Sequence, residues 1–131
     1  VVVDDIEQDI THIVRGGDLL DTTAVHLSLY QAFEQCAPQY VHIPIVVHQY
    51  GEKLSKQNLA PTIDNTNALE NLKLALVYLG VDAKKIHHIV CIERLLGWAT
   101  ENWRPNLLPK QSELLISVVN GVYLANENMT S

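Results

Sequence analysis

Two short apolar runs that enclose a helical pattern constrain the fold more than any other feature of the first fifty residues. Residues 10–14 and 41–47 are rich in Val and Ile, as buried strands are, and the first run stops at Arg15-Gly16-Gly17. Between the runs, apolar residues recur at the spacing of one helix face. These residues are Val25, Leu29, Ala32 and Phe33. The order predicts an α/β fold with two or three parallel-type strands and a connecting helix.

Two details qualify these strands. Residues 1–3 form a Val run closed by Asp4 and Asp5, which we interpret as the end of a further buried strand. Pro44 interrupts residues 41–47 and predicts that part of this strand lies at a sheet edge or a bulge, because proline has no backbone N–H to donate.

The second half of the chain has helical periodicity. Its apolar residues recur at i, i+3, i+4 and i+7, and Gly80 is placed as a helix C-cap. The predicted helices cover residues 67–79, 86–103 and 112–125. We therefore expect two domains, an α/β part over residues 1–64 and a helical region over residues 65–131.

The composition excludes several classes of protein. Lys and Arg number 9 against 15 Asp and Glu, a formal charge of −6, whereas domains that bind nucleic acid mainly through phosphates are basic. No apolar run approaches the ~18 residues of a membrane helix, and no segment has the pattern of a secretory signal. Cys36 and Cys91 form no CxxC pair and the 6 histidines have no metal-ligand spacing, so we expect buried reduced thiols and no metal site.

A lysine-rich loop is the first candidate site. Lys53, Ser55 and Lys56 lie in residues 51–58, directly after the second apolar run. Two ammonium groups and a hydroxyl suit a polyphosphate, and such a loop stabilises the charge that develops on a leaving pyrophosphate. The same composition is also typical of a solvated surface turn.

Arg15 is the second candidate. It follows a predicted strand, where α/β sheets place ligand-binding residues, and a guanidinium can hold a carboxylate through two hydrogen bonds. Gly16 and Gly17 let the backbone approach a ligand closely. The stretch Arg-Gly-Gly-Asp over residues 15–18 is also a common turn sequence.

The order of these motifs resembles the class I glutamyl-tRNA synthetase family. The resemblance rests on Val2-Val3-Asp4-Asp5, residues 10–20, Leu29-Tyr30, His42-Ile43-Pro44 and Gly51-x-Lys53-Leu54-Ser55-Lys56. The loop is similar to that class's KMSKS motif, here Lys53-Leu54-Ser55-Lys56-Gln57. Its continuation, Gln57-Asn58-x-Ala60-Pro61, and the later Asn102-Trp103-Arg104 are similar to one branch, the glutamyl-Q tRNA(Asp) synthetases.

The resemblance implies the second half of a Rossmann-type class I synthetase catalytic domain, followed by a helical region like the family's stem-contact segment. It implies activation of L-glutamate with ATP, accompanied by Mg²⁺, to a glutamyl-adenylate. In this branch the glutamate is then transferred to the queuosine base of tRNA(Asp). The implied location is the cytoplasm, with no membrane contact.

Carried over position by position, the family's motifs assign four residues. Arg15 binds the substrate glutamate, Lys56 contacts ATP, and Lys53 and Ser55 belong to the same catalytic loop. The family's HIGH-like ATP motif, a glutamate-binding Tyr and the branch's zinc ligands belong upstream of Val1, and the chain does not begin with Met. We therefore expect that this chain is the C-terminal piece of a longer protein and is inactive by itself. The missing N-terminal half of the same protein, which would carry the zinc, is expected to be its partner.

One departure and two alternatives remain. Where the family usually carries Arg-Gln after Thr23, this chain has Val25-His26, which puts the family's polar contacts at the start of this helix in question. The first alternative is an ordinary glutamyl-tRNA synthetase that charges tRNA(Glu), although such enzymes tend to continue the loop with Arg-His-Gly. The second is a non-catalytic interaction module that retains the fold.

Overall fold

The predicted strand–helix–strand pattern is present and lies in the first of two units. The computed structural model describes residues 1–48, 53–54, 60, 62–119 and 122–125, with the backbone alone for residues 117–119 and 122–125. The chain separates into Val1–Ile45, here called unit 1, and Val46–Ser131, here called unit 2. The domain boundary between residues 64 and 65 stays a prediction.

Unit 1 is a parallel strand pair with its crossover helix. The chain runs through α1 (Val2–Glu7), β1 (His12–Gly16), a 3₁₀ turn (Gly17–Leu19), α2 (Leu20–Ala32) and β2 (Gln39–Ile43). β1 and β2 pair in parallel, as strands joined by a crossover helix do. The α/β character and the parallel pairing predicted for this region are confirmed.

The register of β1 and β2 places the candidate arginine. Arg15 lies opposite His42, and Gly16 lies opposite Ile43. Tyr40 and His42 are two positions apart on β2, so their side chains leave the same face of the strand. The end of β1 therefore meets an aromatic ring and an imidazole on the neighbouring strand.

Both helices of unit 1 end at a non-glycine residue with left-handed backbone. Asp9 has φ 53° after α1, and Glu34 has φ 54° after α2. After α2, Gln35 N donates to Tyr30 O at 2.9 Å across the last turn, which is the hydrogen bond of a Schellman ending. These endings turn the chain sharply from each helix toward the following strand.

The strand predicted for residues 1–3 is wrong, because these residues begin α1. Val2 is buried whereas Val3 is half exposed, and Asp4 and Asp5 lie in the first turn of the helix. Carboxylates in a first turn are stabilised by the positive end of the helix dipole. Asp4 and Asp5, predicted to follow a strand, are thus part of a helix start.

The helical part of unit 2 packs around one small apolar core. It contains α3 (Ala68–Tyr78), α4 (Ala83–Ile86) and α5 (Ile92–Asn102). The buried residues of this core are Leu76, Val81, Ile86, Ile89 and Leu95.

Gly80, with φ 86°, follows α3 as predicted, and Trp103 Nε1 donates to Leu79 O at 3.0 Å. The single helix predicted over residues 86–103 is wrong at its start, since Cys91 has extended backbone and α5 begins after it.

Strands also belong to unit 2, and the helix predicted over residues 112–125 is wrong. β3 (Ile45–His48), β4 (Glu113–Val119) and β5 (Val122–Ala125) form a sheet in the order β3-β4-β5, with β4 and β5 antiparallel. Leu114 and Ile116 are buried while Leu115 is 50% exposed. This alternation has the period of a strand, and the β-branched residues that follow favour the same conformation.

Residues 41–47 belong to two strands rather than one. Pro44 lies between β2 and β3, which belong to different sheets. Proline fixes φ and removes a ladder donor, so the interruption predicted at this position is present and is complete. Buried thiols were also expected, yet Cys36 is exposed and Cys91 is partly exposed; both are free.

Candidate functional site

Arg15 is held at the end of β1 by hydrogen bonds to β2 and to the start of α2. Its Nε donates to His42 Nε2 at 3.3 Å. Its Nη2 donates to Thr23 Oγ1 at 2.6 Å and to Leu19 O at 3.0 Å. The 3₁₀ turn after β1 brings the start of α2 back over the arginine, so a short segment supplies partners on two sides.

A second imidazole completes the set around the guanidinium. Arg15 Nη1 lies 3.2 Å from His26 Nδ1. A guanidinium carries five N–H donors and no acceptor, so His26 Nδ1 and His42 Nε2 must both accept. Each ring is therefore neutral in this arrangement, with its proton on the other nitrogen. Thr23 Oγ1 accepts from Arg15 and, at 3.0 Å from His42 Nε2, donates to that ring.

Aromatic stacking fixes the plane of the same guanidinium. Arg15 Cζ lies 5.0 Å from the centre of the Tyr40 ring, within the range of a cation–π contact. Tyr40 and His42 are stacked with their ring centres 6.1 Å apart and an angle of 10° between planes. The arginine thus has a ring on one face and acceptors along its edges.

The positive charge of Arg15 is not neutralised by these contacts. None of its hydrogen-bond partners in the described part of the chain is a carboxylate. One Nη1 hydrogen also finds no acceptor among the described residues, since the hydrogen bonds use Nε once, Nη1 once and Nη2 twice. A positioned cation with an unused donor is suited to an anionic ligand.

The surroundings keep His42 neutral. Burial lowers the pKa of His42, and the charge of Arg15 lowers that pKa further. Both causes disfavour the imidazolium form. His42 is therefore available as an acceptor for Arg15 over a wider range of pH than a free imidazole.

Two tyrosines connect the site to α1. Tyr30 is buried and its hydroxyl donates to Asp5 Oδ2 at 3.4 Å. Burial, followed by the charge of Asp5, raises the pKa of Tyr30. Burial also raises the pKa of Tyr40, whose hydroxyl is out of solvent with no hydrogen-bond partner among the described residues.

The lysine-rich loop is described only at Lys53 and Leu54. Lys53 makes an antiparallel bridge to Val47, and Leu54 N donates to Val46 O at 3.0 Å. Lys53 and Leu54 therefore lie antiparallel beside β3. Ser55 and Lys56 lie outside the described residues, so the roles predicted for the loop stay predictions.

Sequence reasoning singled out Arg15 but missed its partners. Thr23, His26, Tyr40 and His42 meet at Arg15 because of the strand register and the short turn after β1. The spacing Tyr40-x-His42 on a predicted strand was the available signal, since it places both rings on one face. His26 does make a polar contact at the start of α2, where the departure from the family had put one in question. Across the described residues, no three His, Cys, Asp or Glu side chains group as metal ligands.

Comparison with known proteins decides the family. Residues 1–103 match the family model described as tRNA synthetases class I (E and Q), catalytic domain. The chain belongs to this family. The resemblance that the motifs carry is thereby confirmed, and so is the α/β class I synthetase fold.

The curated relatives that this chain resembles carry the name of one branch of the class I family. A glutamyl-Q tRNA(Asp) synthetase from Colwellia psychrerythraea is 46% identical over an alignment of 123 residues that covers 88% of this chain and 38% of that protein. One from Vibrio vulnificus (strain CMCP6) is 39% identical over 121 residues, 92% of this chain and 40% of that protein. The chain thus spans about two fifths of the length of these relatives, which are named as ligases of the predicted branch.

Solved structures of the class I family support the fold. A glutamate tRNA ligase from Elizabethkingia meningosepticum, in complex with its amino acid, matches 84% of this chain and 26% of its own with a TM-score of 0.59 and 23% identity. The glutamate-tRNA synthetase from Elizabethkingia anophelis matches equally well. None of the helices in the described ranges combines the length and the apolar character that crossing a bilayer requires.

Proposed function

We propose that this chain is part of a glutamyl-Q tRNA(Asp) synthetase, which activates L-glutamate with ATP and transfers it to the queuosine base of tRNA(Asp) in the cytoplasm. The observation that carries the proposal is the positioned charge of Arg15 at the end of β1, whose hydrogen-bond partners among the described residues include no carboxylate. Relatives at 39% and 46% identity that bear this enzyme's name support the choice of branch. The chain alone is proposed to be inactive.

In this proposal Arg15 binds a carboxylate of the substrate. Its rigid surroundings hold the guanidinium in one orientation, so little conformational entropy is lost when the ligand binds. Lys56, with Lys53 and Ser55, closes on the ATP phosphates. The other glutamate carboxylate attacks the α-phosphorus, pyrophosphate leaves, and the lysines stabilise the charge that develops on it.

Metal ions enter the proposal only as companions of other groups. Mg²⁺ would accompany ATP and shield its phosphates, whereas zinc is expected only upstream of Val1. The described residues show no triple of metal-ligating side chains for either ion. The roles proposed for this chain's own residues remain those of Arg15 and of the lysines of the loop.

The first experiment is glutamate-dependent pyrophosphate exchange by the full-length protein. Lys56→Ala should lower the exchange rate by about 100-fold, because one charge-stabilising donor is lost at the leaving group. Lys84→Ala is the matched control, since Lys84 is an exposed lysine on α4, and it should leave the rate unchanged. Absence of glutamate-dependent exchange in the wild type, or equal rates for both variants, would support the non-catalytic module.

A second experiment identifies the acceptor. The full-length protein is supplied with labelled glutamate, ATP and tRNA(Asp) with or without queuosine, and tRNA(Glu) serves as the competing substrate. Label that appears only on queuosine-containing tRNA(Asp) supports the proposal. Label on tRNA(Glu) would assign the chain to an ordinary glutamyl-tRNA synthetase.

A further inference from the structure

His26 belongs to the same helix face as Thr23 and completes the set of acceptors around Arg15. The two residues are three positions apart on α2, and residues with this spacing lie side by side on a helix. His26 Nδ1 is 3.2 Å from Arg15 Nη1, and its side chain is partly buried. It is also the described partner of the one Arg15 nitrogen that retains an unused hydrogen.

This contact exists in one protonation state only. Arg15 can donate to Nδ1 only while that nitrogen carries no proton. Protonation of an imidazole turns the acceptor into a donor and places a second positive charge beside the guanidinium. The acceptor and the arginine would then repel each other, and Nη1 would lose its fixed direction.

We propose that His26 is a positioning residue that aims Nη1 of Arg15 at the substrate carboxylate by accepting a hydrogen bond from it at Nδ1. The inference rests on the carboxylate-binding role proposed for Arg15. His26 is not assigned any contact with substrate; it acts through the arginine.

The test compares His26→Gln with His26→Leu in the full-length protein. Glutamine supplies a neutral acceptor oxygen that does not titrate, whereas leucine supplies none. The Michaelis constants for glutamate and for ATP are measured by pyrophosphate exchange under one set of conditions. Circular dichroism confirms that each variant is folded.

The expected pattern separates the Leu variant from the other two proteins. For the Gln variant the KM for glutamate stays near the wild-type value, because an acceptor for Nη1 is retained. For the Leu variant it is raised about tenfold. The KM for ATP is similar in all three, because His26 is assigned no contact with ATP.

Two results would overturn the inference. The first is a folded Gln variant whose KM for glutamate is raised about tenfold, and this result counts even where the Leu variant does not fold. The second is a folded Leu variant with the wild-type KM. Arg15→Lys is measured in the same assay, to separate a failure of the His26 inference from a failure of the proposed function. If this substitution leaves the KM for glutamate unchanged, the carboxylate-binding role proposed for Arg15 is itself wrong.

Discussion

At the scale of single residues, the site uses neutral acceptors to hold a cation. Among the described residues, Arg15 is oriented by hydrogen bonds to neutral acceptors rather than by an ion pair. These acceptors are Thr23, His26, His42 and the carbonyl of Leu19. Hydrogen bonds to a charged group contribute more than bonds between neutral groups. The arginine is therefore fixed in place while its charge remains available for an anion.

Removing one of these acceptors should weaken the binding of glutamate by Arg15. Thr23→Val keeps the shape of the side chain but leaves Nη2 without the acceptor now at 2.6 Å. We expect the KM for glutamate of the full-length protein to rise about tenfold, since a hydrogen bond to a charged group is lost.

Thr22→Val is the matched control for this prediction. The Thr22 hydroxyl donates to Leu19 O at 2.7 Å and makes no hydrogen bond to Arg15. Its replacement should change the KM for glutamate little. Equal effects of the two substitutions would mean that they act through the helix start rather than through Arg15.

The ionisation of His42 provides a pH prediction. Burial is the larger cause of its lowered pKa and the charge of Arg15 the smaller. The unfolded chain therefore binds this proton more readily than the folded chain, and the free energy of unfolding should fall as pH drops below about 6.5, the ordinary value of imidazole.

Proton NMR of the His42 ring can follow this titration directly. In Arg15→Gln the pKa of His42 should rise only part of the way toward its ordinary value, because burial remains. A full return to the ordinary pKa in that variant would show that Arg15, not burial, dominates. A wild-type ring that titrates at or above the ordinary value would contradict the described surroundings.

At the scale of elements, the link between α3 and the turn near Leu107 depends on a glycine. Gly80 has φ 86°, and a Cβ built there would overlap the carbonyl oxygen of Leu107 and lie 2.7 Å from its carbon. Gly80→Ala should lower the free energy of unfolding by at least about 2 kcal/mol, from left-handed backbone strain and the clash together.

Gly97→Ala serves as the control in the same region. Gly97 lies inside α5, and a Cβ there meets nothing within 4 Å. This substitution should raise the free energy of unfolding by about 1 kcal/mol, the helix-propensity difference between Gly and Ala. Chemical denaturation of both variants measures the contrast, and a stable Gly80→Ala protein would contradict the described turn.

The strand assignment of β4 can be tested by neighbouring truncations. Ile116 is 1% exposed and Leu115 is 50% exposed. Ile116→Ala should cost about 3 kcal/mol of unfolding free energy because a buried side chain leaves a cavity, whereas Leu115→Ala should cost under about 1 kcal/mol. A larger cost for Leu115→Ala than for Ile116→Ala would favour the helix predicted over residues 112–125, in which Leu115 lies on the apolar face.

The elements that the sequence predicts correctly are those whose apolar residues fit either the helical or the strand period, but not both. β1, α2, β2 and α3 were expected because β-branched runs and leucine spacing there favour a single conformation. In β4 and β5 the apolar residues are dense enough to satisfy both the helical and the strand period. Only packing decides between them, and packing depends on residues distant in sequence.

The sequence likewise predicts only part of the candidate site. Arg15 stood out because a strand end followed by two glycines is a place for ligands. Its partners could not be identified from the sequence, because they meet through the register of β1 with β2 and the entry of α2. A register shift of one residue would have turned Tyr40 and His42 to the opposite face.

At the scale of the whole molecule, unit 1 exposes many apolar side chains. Val14 on β1 is 59% exposed and Val25 on α2 is 60% exposed. Further exposed apolar residues of this unit are Leu20, Leu27, Leu29 and Phe33. So many exposed apolar side chains within a unit of 45 residues indicate surfaces that other protein covers.

The 131-residue chain studied by itself should therefore self-associate. Sedimentation at increasing concentration should show oligomers, and the double substitution Val14→Lys with Val25→Lys should reduce them. Val90→Lys is the control, since Val90 is 81% exposed but lies in unit 2. A monomer at high concentration would argue against these surfaces as sites of association.

The left-handed endings of α1 and α2 have a practical consequence for protein engineering. A non-glycine residue in this conformation costs about 1 kcal/mol, and the penalty is greater for Glu34 than for Asp9, since aspartate tolerates it better. Glu34→Gly, at a position that touches none of the partners of Arg15, should recover part of that strain. A background stabilised in this way would let damaging variants of Arg15 be purified and assayed in folded form.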